Sequence, residues 1–170
     1  MLVLPEEMNI RRKLKSCSRI KKLLPLALVL CPASFLFGQQ NKLRVIAPDL
    51  ITIKRGATAT APLKVTISPG LHVNSNKPAD AFLIPLSIEW TSGPLQARGE
   101  TFPPPERIKV GNQELSVFTG TIQVNTQFKA PPGVAAGSAT MIGKIHYQAC
   151  NDQMCFRPGT VDVRVPVSIE

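Results

Sequence analysis

Proline sets the tightest limit on what this chain can build. Sixteen prolines are spread along 170 residues, several in runs such as Pro103-Pro104-Pro105 and Pro131-Pro132. Each lacks a backbone donor and obstructs a helix interior, so helices longer than about two turns find little room between them. Strand patterns fill the intervals instead. The clearest is C-terminal: Val161, Val163, Val165, Val167 and Ile169 alternate with Asp162, Arg164, Pro166 and Ser168. That period of two sends one row into a core and the other into water. Pro166 cannot donate to a ladder, so one side of that strand is expected to be an edge.

Further strands are expected at Leu50–Ile53, Ala61–Ile67, Phe82–Trp90, Leu115–Val124 and Ala139–Tyr147. Pro85 suggests a bulge or edge in the third of these, and the period shifts at Gly120 in the fourth. Short strands separated by Gly/Pro turns at this spacing point to an all-β fold, a β-sandwich.

The first 38 residues read differently. Arg11, Arg12, Lys13, Lys15, Arg19, Lys21 and Lys22 precede an apolar run from Leu23 to Phe37, which gives way to Gln39-Gln40. A basic segment, an apolar segment and a polar shift are the layout of a secretory signal peptide. The run is shorter than the roughly 20 residues of a spanning helix. Residues 1–38 are therefore expected to export residues 39–170 from the cytoplasm as one soluble domain. Lipid attachment at Cys31 is disfavoured because Leu30, just before it, is not small. An uncleaved anchor is the other alternative.

The export signal also accounts for much of the charge. The chain is +9 overall, but residues 1–38 hold seven basic and two acidic residues. The basic residues that remain are scattered, with no stripe of interleaved aromatics, so nucleic-acid binding is not indicated.

Of four cysteines, Cys17 and Cys31 fall in the leader, leaving Cys150 and Cys155 for a compartment where disulfides persist. Sandwiches of this class often pin their two sheets with a disulfide between distant strands. A pair five positions apart closes a small ring across a turn instead. Such a ring stabilises by about 2 kcal/mol in the loop-entropy picture, against about 4 to 5 for very long loops. Two readings stay open at this point. One is a structural staple in a secreted, non-catalytic β-sandwich that binds other proteins. The other is reversible exchange, in which a thiolate attacks a disulfide, forms a mixed disulfide and is released by its neighbour.

The intervening Asn151-Asp152-Gln153-Met154 is polar and suited to access, but contains no Lys or His to lower a thiol pKa. Asp152 disfavours an adjacent thiolate. His146 is expected on the opposite face. A zinc site would need more ligands than two cysteines, His72 and His146 supply, and Cys–His hydrolysis lacks an orienting third group. No metal and no cofactor is called for. Tyr147 and Phe156 flank the pair, either shaping a partner groove or packing in the core. Trp90 is expected in the core or at a sheet edge, and His72 in a satisfied polar role at a strand end.

Tyr147-Gln148-Ala149-Cys150, a short loop, and Cys155-Phe156-Arg157-Pro158 before a final alternating strand resemble the N-terminal periplasmic domain of the thiol:disulfide interchange protein DsbD. Two upstream segments are similar to the same family: Gly70-Leu71-His72-Val73-Asn74-Ser75-Asn76-Lys77-Pro78 with Phe82-Leu83-Ile84-Pro85, and Phe102-Pro103-Pro104-Pro105-Glu106-Arg107-Ile108-Lys109. The resemblance runs from about Leu50 to Ile169. It implies an immunoglobulin-like module, active in periplasmic thiol–disulfide exchange and in cytochrome c maturation. Such a module relays reducing equivalents between a membrane-embedded electron-transferring protein and thioredoxin-like periplasmic partners. By position in the family motif, Cys155 would meet the partner and Cys150 would resolve.

The family's best-known members place one more residue between the cysteines and shield them with an aromatic cap loop. The matching stretch here, Lys109 to Glu114, has no aromatic; Val110 and Phe118 are the nearest apolar candidates. No membrane or thioredoxin-like domain lies within residues 1–170, so the reductant is expected to come from another protein.

Overall fold

The computed structural model describes residues 42–170. The expected export signal at 1–38, with Cys31, lies outside the described residues. Among those described, every regular element is a strand: β1 (Leu43–Ile46), β2 (Ile51–Ile53), β3 (Thr58–Ile67), β4 (His72–Asn74), β5 (Ser87–Ser92), β6 (Gln96–Thr101), β7 (Glu106–Val110), β8 (Gln113–Phe118), β9 (Thr121–Lys129), β10 (Gly137–Tyr147), β11 (Ala149–Cys150) and β12 (Gly159–Ile169). The all-β, immunoglobulin-like expectation holds.

The strands form three four-stranded sheets, in the orders β1-β3-β9-β6, β2-β12-β10-β5 and β11-β4-β8-β7. The first two enclose the core. Ala61, Leu63, Val65 and Ile67 of β3, with Val124 and Phe128 of β9, share one apolar cluster with Met141 and Ile145 of β10 and Val163, Val165, Val167 and Ile169 of β12. Alternation decides this: the inward residues of β12 are buried, while Asp162 and Arg164 between them are exposed. Each inward side chain removes apolar surface from water at about 25 cal/mol per Å².

Pro166 behaves as its chemistry requires. The long antiparallel ladder with β10 covers all of β12. The parallel pairing with β2 begins only at Val167, so β12 up to Pro166 has β10 as its sole ladder partner. Trp90 lies on the edge strand β5 and packs edge-on against Phe128, with ring centroids 4.7 Å apart.

Two strand readings differ from the structure. The expected strand Leu115–Val124 is two strands in two sheets. Gly120, with φ of 56°, turns the chain between β8 and β9, a conformation glycine adopts without steric cost. The turn is fixed by the Ile67 N–H, which donates to the Gly120 carbonyl. The expected strand Phe82–Trp90 begins only at Ser87. Upstream of it the Asp80 carboxylate accepts the Phe82 N–H at 2.9 Å, and the buried Asn74 amide donates to the Ile84 carbonyl at 3.1 Å. Local side-chain bonds of this kind compete with a ladder.

The third sheet is made of continuations: β4 follows β3 after the Ser68–Gly70 turn, β8 leads into β9, and β11 follows β10 after Gln148. It carries the cysteine motif.

Candidate functional site

Cys150 ends β11, an edge strand of the third sheet, and is bonded to Cys155 with Cα atoms 4.0 Å apart. A tight turn sets that approach. The Asn151 side-chain carbonyl accepts the backbone N–H groups of Gln153 and Met154 at 2.9 and 2.8 Å. The Asn151 N–H donates to the Met154 carbonyl at 3.0 Å. Asparagine mimics a backbone turn in this way, which is why a four-residue polar loop here has one shape. The base of the ring is closed by the Phe156 N–H donating to the Ala149 carbonyl and by the Gln148 amide donating to the Phe156 carbonyl.

The two cysteines sit in unlike surroundings. Cys150 is 2% exposed, whereas Cys155 is exposed along with Asp152, Gln153 and Met154.

The flanking aromatics separate in role. Tyr147 is buried in the core cluster with its ring against Gly159, and burial pushes its phenol above the ordinary value. Phe156 is half-buried at the edge of the core, and the Lys42 ammonium lies 4.5 Å from its ring centre. His146 Nε2 lies 3.4 Å from a Glu89 carboxylate oxygen.

One residue was undervalued in the sequence. His72 lies opposite Cys150 in the β4–β11 ladder and is 5% exposed. Its Nε2 is buried without a hydrogen-bond partner, so the satisfied polar role expected of it is not met at that atom. Burial lowers its pKa from the ordinary value, and the nearby Asp152 charge partly offsets this. His72 and Asp152 border one open cleft of about 360 Å³, which Lys109 and Val110 of β7 also line. The signal that could have found it is its place in the Gly70–Pro78 segment, 78 residues from Cys150 in sequence but opposite it in the ladder.

The β7–β8 hairpin turns at Gly111 and is braced by Arg107 and Glu114, 2.6 Å apart. It leaves Cys155 exposed. Phe118 is no cap: it is 1% exposed and stacked on Phe102. Val110 is half-buried at the cleft.

A bridged cysteine hairpin with one buried and one exposed member, mounted on the edge of a small sheet beside a β-sandwich, is the architecture of a thiol–disulfide exchange module. The chain belongs to the family described as thiol:disulfide interchange protein DsbD, N-terminal, which it matches over residues 44–166. Among solved structures, it is similar to the N-terminal periplasmic domain of ScsB from Proteus mirabilis, at 15% identity over 74% of this chain and a TM-score of 0.48. It spans 45% of the length of that chain. The DsbD N-terminal domain of Neisseria meningitidis in the reduced form is 16% identical over 67% of this chain and 80% of its own, with a TM-score of 0.42. Comparison with curated protein sequences finds no match.

Proposed function

We propose that this chain is a periplasmic relay that passes reducing equivalents through Cys150 and Cys155 between thioredoxin-like proteins and a membrane-embedded electron-transferring protein. The observation that carries the reading is the contrast between the exposed Cys155 and the buried Cys150 within one family-matched hairpin.

In the loading half, a donor thiolate attacks the Cys155 sulfur. The Cys150–Cys155 bond breaks, Cys150 leaves with the electron pair and takes a proton, and a mixed disulfide joins donor and Cys155. The donor's second thiol then attacks its own bridged sulfur. The donor is oxidised to a disulfide and the relay is left as a dithiol. Unloading runs the other way: the Cys155 thiolate attacks an oxidised partner, and Cys150 resolves the mixed disulfide, releasing the partner reduced. The bridge forms a small ring, so its opening and closing leave the sandwich intact.

The test is the reduction potential of the pair together with trapping. A value above about −300 mV, and a mixed disulfide captured through Cys155 in Cys150→Ala with thioredoxin-fold proteins of the periplasm, are the expected results. A potential below about −300 mV marks a bridge resistant to the glutathione pool. With no adduct formed, that would leave a secreted binding domain with a structural disulfide.

A further inference from the structure

Resolution requires a proton to leave Cys150, and Cys150 is buried. A thiolate there is disfavoured by desolvation, and the hairpin itself carries no Lys or His to stabilise it. What faces Cys150 comes from another strand. Cys150 and His72 are directly opposed in the antiparallel ladder of β11 and β4. Directly opposed residues project to the same face with Cβ atoms about 4.5–5.5 Å apart. The imidazole is therefore the titratable neighbour of the resolving sulfur.

A buried nitrogen without a partner is costly and rare in a settled structure. His72 Nε2 is such an atom. We infer that His72 holds the proton of the Cys150 sulfur during exchange, accepting it as Cys150 resolves a mixed disulfide and returning it when Cys150 is the leaving group. The inference rests on the exchange reading above.

The step balances. In resolution the Cys150 S–H proton passes to the neutral imidazole. The Cys150 sulfur attacks the Cys155 sulfur, the Cys155–partner bond breaks, and the partner leaves with the electron pair. The imidazolium then gives its proton to water in the cleft. In loading the neutral imidazole first takes a proton from water in the cleft and passes it to the departing Cys150 sulfur. Burial, which keeps the resting imidazole neutral, suits it to accept.

The other groups facing His72 are few. Asp152, from the hairpin, and Lys109, from β7, line the same cleft. Glu106 on β7 is engaged by the Thr119 hydroxyl at 2.8 Å. Asp152 favours the imidazolium and so sets a limit on how far burial depresses it.

The test uses the reduced chain and one equivalent of Ellman's reagent. The first thionitrobenzoate release reports attack by Cys155; the second reports resolution by Cys150. In the unmodified protein the second phase should rise through an inflection below about 6.5, the ordinary imidazole value, and then stay level until thiols ionise. In His72→Gln the first phase should hold within about twofold. The second should slow by at least about tenfold at neutral pH and lose that inflection. An unchanged second phase, in rate and in pH profile, overturns the inference.

Should His72→Gln not fold, the unmodified protein decides. Followed by NMR, the His72 imidazole should titrate at different pH in the disulfide and dithiol states. The same inflection in both states overturns the inference. The reagent needs no physiological partner. A potential below about −300 mV would therefore sink the relay while leaving this result readable.

Discussion

The ring of Tyr147 lies over Gly159, so closely that a Cβ at Gly159 would stand 3.1 Å from both the ring Cζ and the phenol oxygen. The two residues are also the last opposed pair of the β10–β12 ladder, at the point where the chain leaves the sandwich for the cysteine hairpin. Gly159→Ala must displace the ring, and overpacking of this sort costs about 1–3 kcal/mol. We expect a lower urea midpoint with an unchanged slope. An unaltered midpoint would show that Tyr147 is free to move aside.

Gly143 makes the parallel case in the same sheet, on the interior strand β10. Its missing Cβ would meet the Trp90 ring at 2.8 Å and the Glu89 carbonyl at 3.0 Å. Neither can yield easily: the carbonyl is backbone and the ring is held against Phe128. Gly143→Ala should destabilise by about 1–3 kcal/mol and red-shift the emission of Trp90, the chain's one tryptophan. The reduction potential should not move, because Gly143 pairs with Val163, away from the hairpin. A changed potential with normal stability would contradict this.

These contacts show which parts of the molecule the sequence discloses. Val161 to Ile169 is legible because period-two alternation needs only one buried face to be read. The cysteine hairpin is legible from its spacing and its flanking motif. The break at Gly120 was visible as a change of period, but that β8 and β9 enter different sheets is a property of partners, not of the strand. The turn before Ser87 was hidden because Phe82, Leu83 and Ile84 look like core; in the structure Phe82 is 94% exposed and the Asp80 carboxylate fixes the local path. His72 was undervalued for the same reason: its importance comes from register with Cys150, and register between strands nearly 80 residues apart leaves no mark in either segment.

Two titratable groups predict opposite trends of stability with pH. His72 has a lowered pKa in the fold. The unfolded chain therefore binds its proton more readily, and the stabilisation is present above about 6.5 and lost as pH falls below it. Glu100 is the reverse. Burial raises its carboxyl above the ordinary 4.5, so its contribution is present at low pH and lost as pH rises through the folded value. Urea midpoints of Glu100→Gln should therefore gain on the unmodified protein from about pH 4.5 upward, whereas His72→Gln should flatten the decline below 6.5. A constant difference between Glu100→Gln and the unmodified protein at every pH would show that the carboxyl titrates alike in both states.

Asn151 offers the sharpest link between turn geometry and redox chemistry. Its side-chain carbonyl takes two backbone N–H groups, from Gln153 and Met154, and so shapes the turn that sets the cysteine Cα atoms 4.0 Å apart. In the dithiol the same turn keeps Cys150 close to Cys155 and raises its effective concentration against a mixed disulfide. Asn151→Ala removes both acceptor contacts, each worth about 0.5–1.5 kcal/mol. If about 1.4 kcal/mol of that favours ring closure, the closing equilibrium falls about tenfold and the potential becomes less negative by about 30 mV. Resolution of a mixed disulfide at Cys155 should slow in step, while the first attack by Cys155 should not. A potential equal to that of the unmodified protein would mean that the bridge shapes the turn, and not the turn the bridge.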